Sequence, residues 1–523
     1  MAIKRFIYIT TATVILTAHL CCGTNIIIPF ENTEWSLAGN EIDRYVTAVL
    51  KKKNIEESPP CSDEVFIRRV YLDVIGRLPE PEEVTIFLKD SRPDKRAILI
   101  DSLMEKREFA EYWSLKWSDI LRIKAEFPIN LWPNGVQAYH RWILENLRDN
   151  KPYDLLVRQM LTSSGSNFRV PQVNFYRAIQ GREPSAIASA VALTFMGMRL
   201  EKTPEHTISG MSAFFSRLAY KSTNEWKEEI VYLNPYDCSR IEAVFPDGKR
   251  VSIPPGYDPR AVFAEWLISP DNPWFAKNIV NRIWSWLMGI GIINEPDDIR
   301  KDNPACNPEL LAYLEKELII SHYNLQHIYR LILNSHTYQR SSIPKTTNPE
   351  AKRLFAYYPV RRLDAEVLLD ILCKIGGTGE EYISPIPEPF TIIPKYQRNV
   401  LLADGSITGT FLELFGRPSR DTGKESERNN QINDAQQRYL LNSTDIQRRI
   451  QKSPQLRKIL ISSKGKQDEI IKDIYLFLLS RYPTTQEIKD AMEYFNTDGI
   501  KKNEAIQDIA WALINSKEFL YRH

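Results

Sequence analysis

Two stretches at opposite ends of this chain carry one pattern. Near the start stands DEVFIRRVYLDVIGRLPEPEEVTIFL, Asp63 to Leu88, and near the end DEIIKDIYLFLLSRYPTTQEI, Asp468 to Ile488. Tyr71, Arg77, Pro79 and Glu83 of the first align with Tyr475, Arg481, Pro483 and Glu487 of the second at one constant offset. Each copy then continues into an apolar segment closing on Glu-Phe, Glu108-Phe109 and Glu518-Phe519. In the first copy, Ser62 is placed to cap a helix whose apolar residues Ile67, Tyr71, Val74 and Ile75 recur at helical spacing. Gly76 stands where a left-handed terminator is wanted. Pro81, with Glu82 and Glu83, suits the first turn of a following helix. In the second copy, Thr484 and Glu487 have the spacing of a capping box. Both copies are expected to fold as helix, tight corner, helix and third helix, with their shared residues serving the fold rather than chemistry.

Between the copies helical patterns dominate. The segment SPDNPWFAKNIVNRIWSWLMG offers Asn272 as cap, Pro273 at the first helical position and Gly289 as terminator, with Ile279, Ile283, Trp286 and Leu287 on one face. Residues 93–123, 133–149, 152–162, 183–197, 307–321, 324–335, 363–375 and 434–451 also read as helices. Only 21 glycines in 523 residues argue against a turn-dense β fold. Residues 228–256 differ: apolar and polar residues alternate around Asp247-Gly248, a hairpin signal. A Pro-rich irregular stretch runs from 384 to 398. The expected fold is mainly α: multi-helix modules with a small β hairpin element between them and a related helical unit at each end.

Residues 1–22 read as an export signal. Lys4 and Arg5 precede a 15-residue apolar stretch, Phe6 to Leu20, too short for a confident membrane span. Cys21 or Cys22, directly behind it, is a candidate for lipid attachment, with plain secretion the alternative. The expected location is therefore periplasmic, or an outer-membrane or cell-surface lipoprotein, touching membrane only through this signal or lipid. Cys61, Cys238, Cys306 and Cys373 are widely spaced, form no C-x-x-C, and leave disulfide pairing open. A formal charge of +2, from 68 basic and 66 acidic residues, gives no support to a nucleic-acid partner.

The stretch DEVFIRRVYLDVIGRLPEPEE, continued by DKRAILIDSLMEKREFAEYWSLKWSDILR, resembles the planctomycete cytochrome-c-like module, a domain of unknown function. RAVFAEWLISPDNPWFAKNIVNRIWSWLMGIGIINEPDDIR resembles its usual partner, the planctomycete-specific domain of unknown function. FAYYPVRRLDAEVLLDIL, LFGRPSRDTGKESERNN and YLLNSTDI continue the second match. The resemblance divides the chain into a linker at 23–40, a cytochrome-c-like helical module at 41–225, a β-containing connector at 226–257 and a planctomycete-specific helical domain at 258–523. The last includes the C-terminal helical repeat at 466–523. It implies an exported accessory or binding protein in a bacterial polysaccharide-use system, with a sulfatase-like protein as partner and a glycan as ligand. Many relatives carry the haem-attachment signature C-x-x-C-H after a segment like Phe195 to Glu201. Here Lys202 and Glu205 replace both cysteines and only His206 remains. A thioether-linked haem needs those two sulfurs, so no cofactor is expected.

The densest polar cluster is residues 404–430, DGSITGTFLELFGRPSRDTGKESERNN. Glu413, Asp421, Glu425 and Glu427 face Arg417, Arg420, Lys424 and Arg428 in number, four charges of each sign. Two readings compete. In an uncharacterised enzyme, Arg417, Arg420 and Arg428 would hold a sulfate or carboxylate while Asp421, Glu425 or Glu427 acts as base. Arg361, Arg362 and His206 would be the further substrate contacts. Alternatively, the same residues form a buried ion-pair network fastening loop to helix, arginines and acids satisfying one another. Asp364 and Glu366 suit a helix N-terminus. The glycine spacing of 416–424 misses a phosphate loop, and Phe415 takes the place a calcium loop gives to Glu. The acidic run Glu295, Asp297, Asp298 and Asp302 has no complete ligand pattern, and no metal is expected. H-E-x-x-H and G-x-S-x-G are absent. Trp113, Trp117, Trp142, Trp266, Trp284 and Trp286 lie in apolar helices and are expected in the core.

Overall fold

The computed structural model describes residues 26–523; the proposed signal and its candidate lipidation residues, Cys21 and Cys22, lie outside them. The fold is mainly α, with strands confined to three small sheets. No helix among the described residues is long and apolar enough to cross a membrane.

The two end units share their internal geometry. The first runs through helices Asp63–Val74, Pro81–Lys89, Lys95–Met104 and Arg107–Ile120; the second through Gln467–Leu479, Thr485–Phe495, Lys502–Ile514 and Lys517–Leu520. Ser62 accepts from the Val65 amide at 3.2 Å, and Thr484 closes the expected capping box with Glu487. In each unit one arginine is the clamp. Arg77 holds Glu83 at 2.9 Å and approaches Glu108 at 3.8 Å; Arg481 holds Glu487 at 2.7 Å and Glu518 at 2.6 Å. Each guanidinium also lies over the matching tyrosine, Tyr71 at 5.1 Å and Tyr475 at 5.4 Å. The repeated residues thus tie a corner to the helices on either side of it. The predicted third helix is two: the run 93–123 breaks at Glu105-Lys106 into helices Lys95–Met104 and Arg107–Ile120.

The two units pack on each other. Arg68, almost fully buried, donates to the carbonyls of Leu478 at 3.0 Å and Phe519 at 2.9 Å, and Arg69 reaches the carbonyl of His523 at 2.8 Å. Helix-end carbonyls buried in a core need such donors.

Gly76 has φ +61° at the end of the first corner helix, and Ser480 takes the same place in the second with φ +59°. Serine gains nothing there: its hydroxyl is buried without a partner. Ser480→Gly should therefore raise unfolding free energy by about 1 kcal/mol, the left-handed strain and unmet hydroxyl outweighing the added backbone freedom of glycine. Chemical denaturation checks this, and a variant less stable than the parent contradicts it.

Helix Phe275–Met288 runs through the middle of the molecule. It begins two residues later than expected, with Trp274 at its N-cap and Pro273 outside it; Asn272 accepts from the amides of Trp274 and Phe275 at 3.0 Å each ahead of the helix, and Gly289 ends it with φ +74°. Its buried Asn281 and Arg282 side chains find partners outside the helix. The Asn281 side chain both donates to and accepts from the Ile293 backbone at 2.9 Å, and Arg282 pairs with Asp297 at 2.6 Å. Trp113, Trp117, Trp284 and Trp286 are core, as expected; Trp142 and Trp266 are only partly buried against it.

The expected hairpin is present: Ile241–Val244 pairs antiparallel with Arg250–Ile253, turning through Gly248 at φ +88°. A second sheet was not expected. It sets Gly165–Ser166 and Leu218–Ser222 on either side of Glu229–Leu233 and so runs across the boundary drawn at residue 226. A two-residue strand such as Gly165–Ser166 is too short to show a period-2 pattern. The run 434–451 is also broken: Ser443 ends helix Asp434–Asn442 and caps helix Thr444–Lys452.

Candidate functional site

The charged residues of the 404–430 loop are recruited by other parts of the chain. Arg417 is buried; it donates to the carbonyls of Ile407 and, at 3.1 Å, Asp404, and its Nε lies 3.3 Å from Glu366. Arg420 has no exposed surface and a left-handed backbone at φ +60°. It donates to Asp119 at 2.9 Å and to the Ala403 carbonyl at 2.6 Å. Arg428 bridges Asp119 at 2.8 Å and Glu366 at 2.7 Å. The arginines thus form a buried ion-pair network that fastens the loop to helices Arg107–Ile120 and Ala365–Gly376, but its carboxylates are Asp119, Glu366 and, at 3.7 Å, Asp364 rather than the loop's own acids.

Of the loop acids, Glu427 holds the loop itself, and Asp421 and Glu425 take partners outside it. Glu427 accepts from the Ser419 hydroxyl at 2.6 Å and the Asp421 amide at 2.9 Å. Asp421 takes Lys124 at 2.7 Å, and Glu425 accepts from the Trp286 indole at 2.9 Å. Burial pushes the Glu425 carboxyl above the usual carboxylate range, opposed by Lys116 and reinforced by Asp297. A loop without its own core can be rigid only if its turns are bonded in this way.

Asp364 and Glu366 are fully buried and do more than suit a helix dipole. The Asp364 side chain makes no capping bond to helix Ala365–Gly376. It receives Lys116, Arg522 and the Tyr112 hydroxyl, each at 2.9 Å, and the Asn430 amide at 2.9 Å. Desolvation opposes ionisation of both carboxyls, but the surrounding cations win. Lys116, Arg522 and Arg428 hold Asp364 well below the usual carboxylate range, and Arg428 and Arg417 hold Glu366 down at about 2. Arg361 completes the network on Asp73 at 2.6 Å and the Trp286 carbonyl at 2.6 Å; Arg362 donates to the carbonyls of Phe415 at 2.6 Å and Asn429 at 3.1 Å. Strand Tyr521–Arg522 pairs with Arg361–Arg362, which delivers Arg522 to Asp364 and Asp73. This buried lattice joins residues 73–119, 361–366, 417–428 and 522.

His206 stands apart, exposed on helix Glu205–Ser212. Lys202 pairs with Asp298 at 2.8 Å, and Glu205 is exposed. This donor set does not fit a thioether-linked haem, which needs two thiol sulfurs. Asp297 is taken by Arg282, and Asp302 by Arg300 at 3.0 Å. Among the described residues no group of three His, Cys, Asp or Glu is arranged to hold a metal ion. Cys61, Cys238, Cys306 and Cys373 are free thiols.

Open space lies next to this lattice. A cleft of about 620 Å³ is lined by helices Ala365–Gly376 and Thr444–Lys452 and by segments 378–382 and 409–412. Tyr382, Phe411 and Tyr439 supply aromatic surface; Arg448, Lys452, Glu381 and Asp445 supply charge. Arg449 at its wall bonds Asp445 at 2.7 Å and also reaches Glu380. Lys452 and Glu381 carry no ion pair among the described residues. A cavity of about 330 Å³ shares the 378–379 wall and is lined by Asp370, Cys373, Arg398 and Asn399. Burial pushes Asp370 up to about 6 against Arg398 and the Asn399 amides, and pushes the Cys373 thiol up to about 11.

Of the residues singled out from the sequence, Arg417, Arg420, Arg428, Arg361 and Arg362 meet in one lattice, yet none of these lines either cavity. Sequence reasoning missed Lys452, Arg448, Glu381 and Tyr382. They come from a helix and an irregular stretch, and nothing in their local pattern marks them as neighbours.

Two family models match the chain. Residues 41–207 match PSCyt2, a protein of unknown function (DUF1549), and residues 259–495 match PSD1, a protein of unknown function (DUF1553). No curated protein and no solved structure matches it.

Proposed function

From the premise that the chain carries a PSCyt2 segment followed by a PSD1 segment, the planctomycete pair that its motifs resemble, we propose an exported accessory protein that binds a glycan in a bacterial polysaccharide-use system. Its location is the periplasm or the cell surface, with lipid on Cys21 or Cys22 as the anchor and a sulfatase-like protein as the partner. The observation that carries this reading is the cleft of about 620 Å³, in which Tyr382, Phe411 and Tyr439 stand beside the unpaired Lys452 and Glu381. Aromatic surface with a few converging charges is the usual make-up of a small-molecule site. A sugar offers both apolar C–H faces and hydroxyls to such a wall, and Lys452 with Arg448 adds a contact for a sulfate ester.

The enzymatic reading places a sulfate or carboxylate on Arg417, Arg420 and Arg428. These groups already have protein partners, so a substrate anion would have to displace Asp119 or Glu366, at a cost of several kcal/mol per buried ion, roughly. The binding reading requires no such exchange.

Calorimetric titration of the mature protein with a sulfated and a neutral hexasaccharide tests the proposal. Binding of the sulfated ligand should weaken about tenfold in Lys452→Ala, the loss of one exposed charge-assisted contact. Binding that Lys452→Ala leaves unchanged, or no binding of either sugar, removes the cleft from consideration.

A further inference from the structure

Three chain segments far apart in sequence bring aromatic rings together at one surface. Trp226 is 47 % exposed and Phe390 40 %. The Trp226 ring lies 5.2 Å from Trp132 at an interplanar angle of 64°, and 4.4 Å from Phe390 at 42°. The Lys227 ammonium sits 4.1 Å above the Trp132 ring and has no carboxylate partner among the described residues. Neither cavity described above includes any of these four residues.

The arrangement is held in place from below. Trp226 and Lys227 occupy the loop joining strands Leu218–Ser222 and Glu229–Leu233. Within that loop Glu228, largely buried, accepts from the Thr223 hydroxyl at 2.7 Å and from the Ser166 hydroxyl on the neighbouring strand. The Glu225 amide donates to Thr223 at 3.1 Å, and the Glu228 amide to the Glu225 carbonyl at 3.1 Å. Lys227 and Trp132 both have left-handed backbones, φ +62° and +65°. Such conformations are unfavourable for residues with a Cβ. The fold meets that cost twice at one surface, where Trp226 and Phe390 stand exposed beside a cation that has no carboxylate partner among the described residues.

We propose that Trp132, Trp226, Phe390 and Lys227 form a second binding platform for an anionic hexopyranose unit of a polysaccharide. The tilted rings of Trp226 and Phe390 receive the apolar C–H faces of the sugar, and Lys227 meets its sulfate or carboxylate. Rigid aromatics give contact area at low entropic cost. An apolar peptide laid on the same rings would strip water from Lys227 without replacing it, which is unfavourable; an anionic sugar satisfies both the rings and the charge. The platform rests on the polysaccharide-binding reading above but uses none of the cleft residues, so the two can fail separately.

Tryptophan fluorescence and calorimetry of the full mature chain with dextran sulfate, alginate and neutral dextran form the test. Affinity for dextran sulfate or alginate should fall at least tenfold in Trp226→Ala and in Phe390→Ala, with unchanged thermal midpoints because both side chains are exposed. Lys227→Gln should remove the preference for charged polymer over dextran. Dominance of dextran sulfate assigns the anion as a sulfate ester, and dominance of alginate assigns a carboxylate. Charged-polymer affinity that Trp226→Ala leaves within twofold while Lys452→Ala lowers it overturns the platform and leaves the cleft standing. Absence of binding to any polymer overturns both.

Discussion

Asp364→Ala is expected to destabilise the protein by about 3–5 kcal/mol, the range for removing one partner of a buried ion pair. Asp364 has no exposed surface, and four donors converge on it: Lys116, Arg522, Tyr112 and Asn430. Alanine leaves Lys116 buried without its carboxylate and Arg522 with Asp73 alone, and opens a small polar void between elements far apart in sequence. Denaturant unfolding monitored by tryptophan fluorescence measures the change. A loss under about 1 kcal/mol would mean that the lattice relaxes or admits water, and its carboxylate is then not a fastener. The same lattice fixes an acid limb. Glu366 is held at about 2 and Asp364 well below its ordinary value. Both are depressed in the folded state, so their stabilisation is complete above the unfolded carboxylate range near pH ~4.3. It is lost as pH falls from about 4.5 toward 2, where protons bind the unfolded chain first. Thermal midpoints measured across that window should fall in the parent and fall less steeply in Asp364→Ala.

Gly416→Ala should be more damaging still, by roughly 4 kcal/mol or more, the range reserved for steric conflicts in ordered backbone. Gly416 has φ +82°, and an added Cβ would stand 1.7 Å from the Asn429 carbonyl oxygen. That contact is with backbone, so no side-chain rotation relieves it. Asn429 also donates its amide to the Gly416 carbonyl at 3.1 Å and accepts from Arg362 at 3.1 Å. Displacing it would pull the loop from Arg362 and loosen the neighbouring Arg428. Gly409→Ala is the matched control in the same loop. Its φ is −159° and the nearest atom to a new Cβ is a Tyr382 ring carbon at 3.8 Å, so a change within about 1 kcal/mol is expected. Comparable unfolding midpoints for the two variants would contradict the steric argument.

Much of the scaffold was legible because its signals are local. Ser62, Gly76, Pro81 and the Thr484–Glu487 box act within a turn or two of helix, and the structure uses each as its type requires. The repeat was legible for the same reason. Its conserved offset reflects one arginine clamp made twice, Arg77 on Glu83 and Arg481 on Glu487. The hairpin at Asp247-Gly248 likewise declares itself within a few residues. The short strands Gly165–Ser166 and Arg361–Arg362 do not, since each exists only because a distant partner lies beside it.

The candidate site divides along the same line. The 404–430 loop is legible as the densest charge cluster, but a count of four charges of each sign does not say which carboxylates its arginines reach. Arg420 and Arg428 reach Asp119, some three hundred positions earlier, and Arg417 and Arg428 reach Glu366. A balanced local composition is equally compatible with either arrangement, and pairing is decided by which carboxylates are buried alongside.

By itself, then, the amino-acid sequence determined the helical units, their caps and corners, the duplicated end unit, the hairpin and the family segments. All of these depend on interactions between residues close in the chain, or on motifs read in order. Only the tertiary structure decided that the two end units pack on each other through Arg68, that Asp364 collects Lys116 and Arg522, and that Trp132, Trp226 and Phe390 share a surface. Charge pairing and ring stacking act over a few ångströms of space with no regard to chain distance, so the packing of the helices had to be known before the partners were.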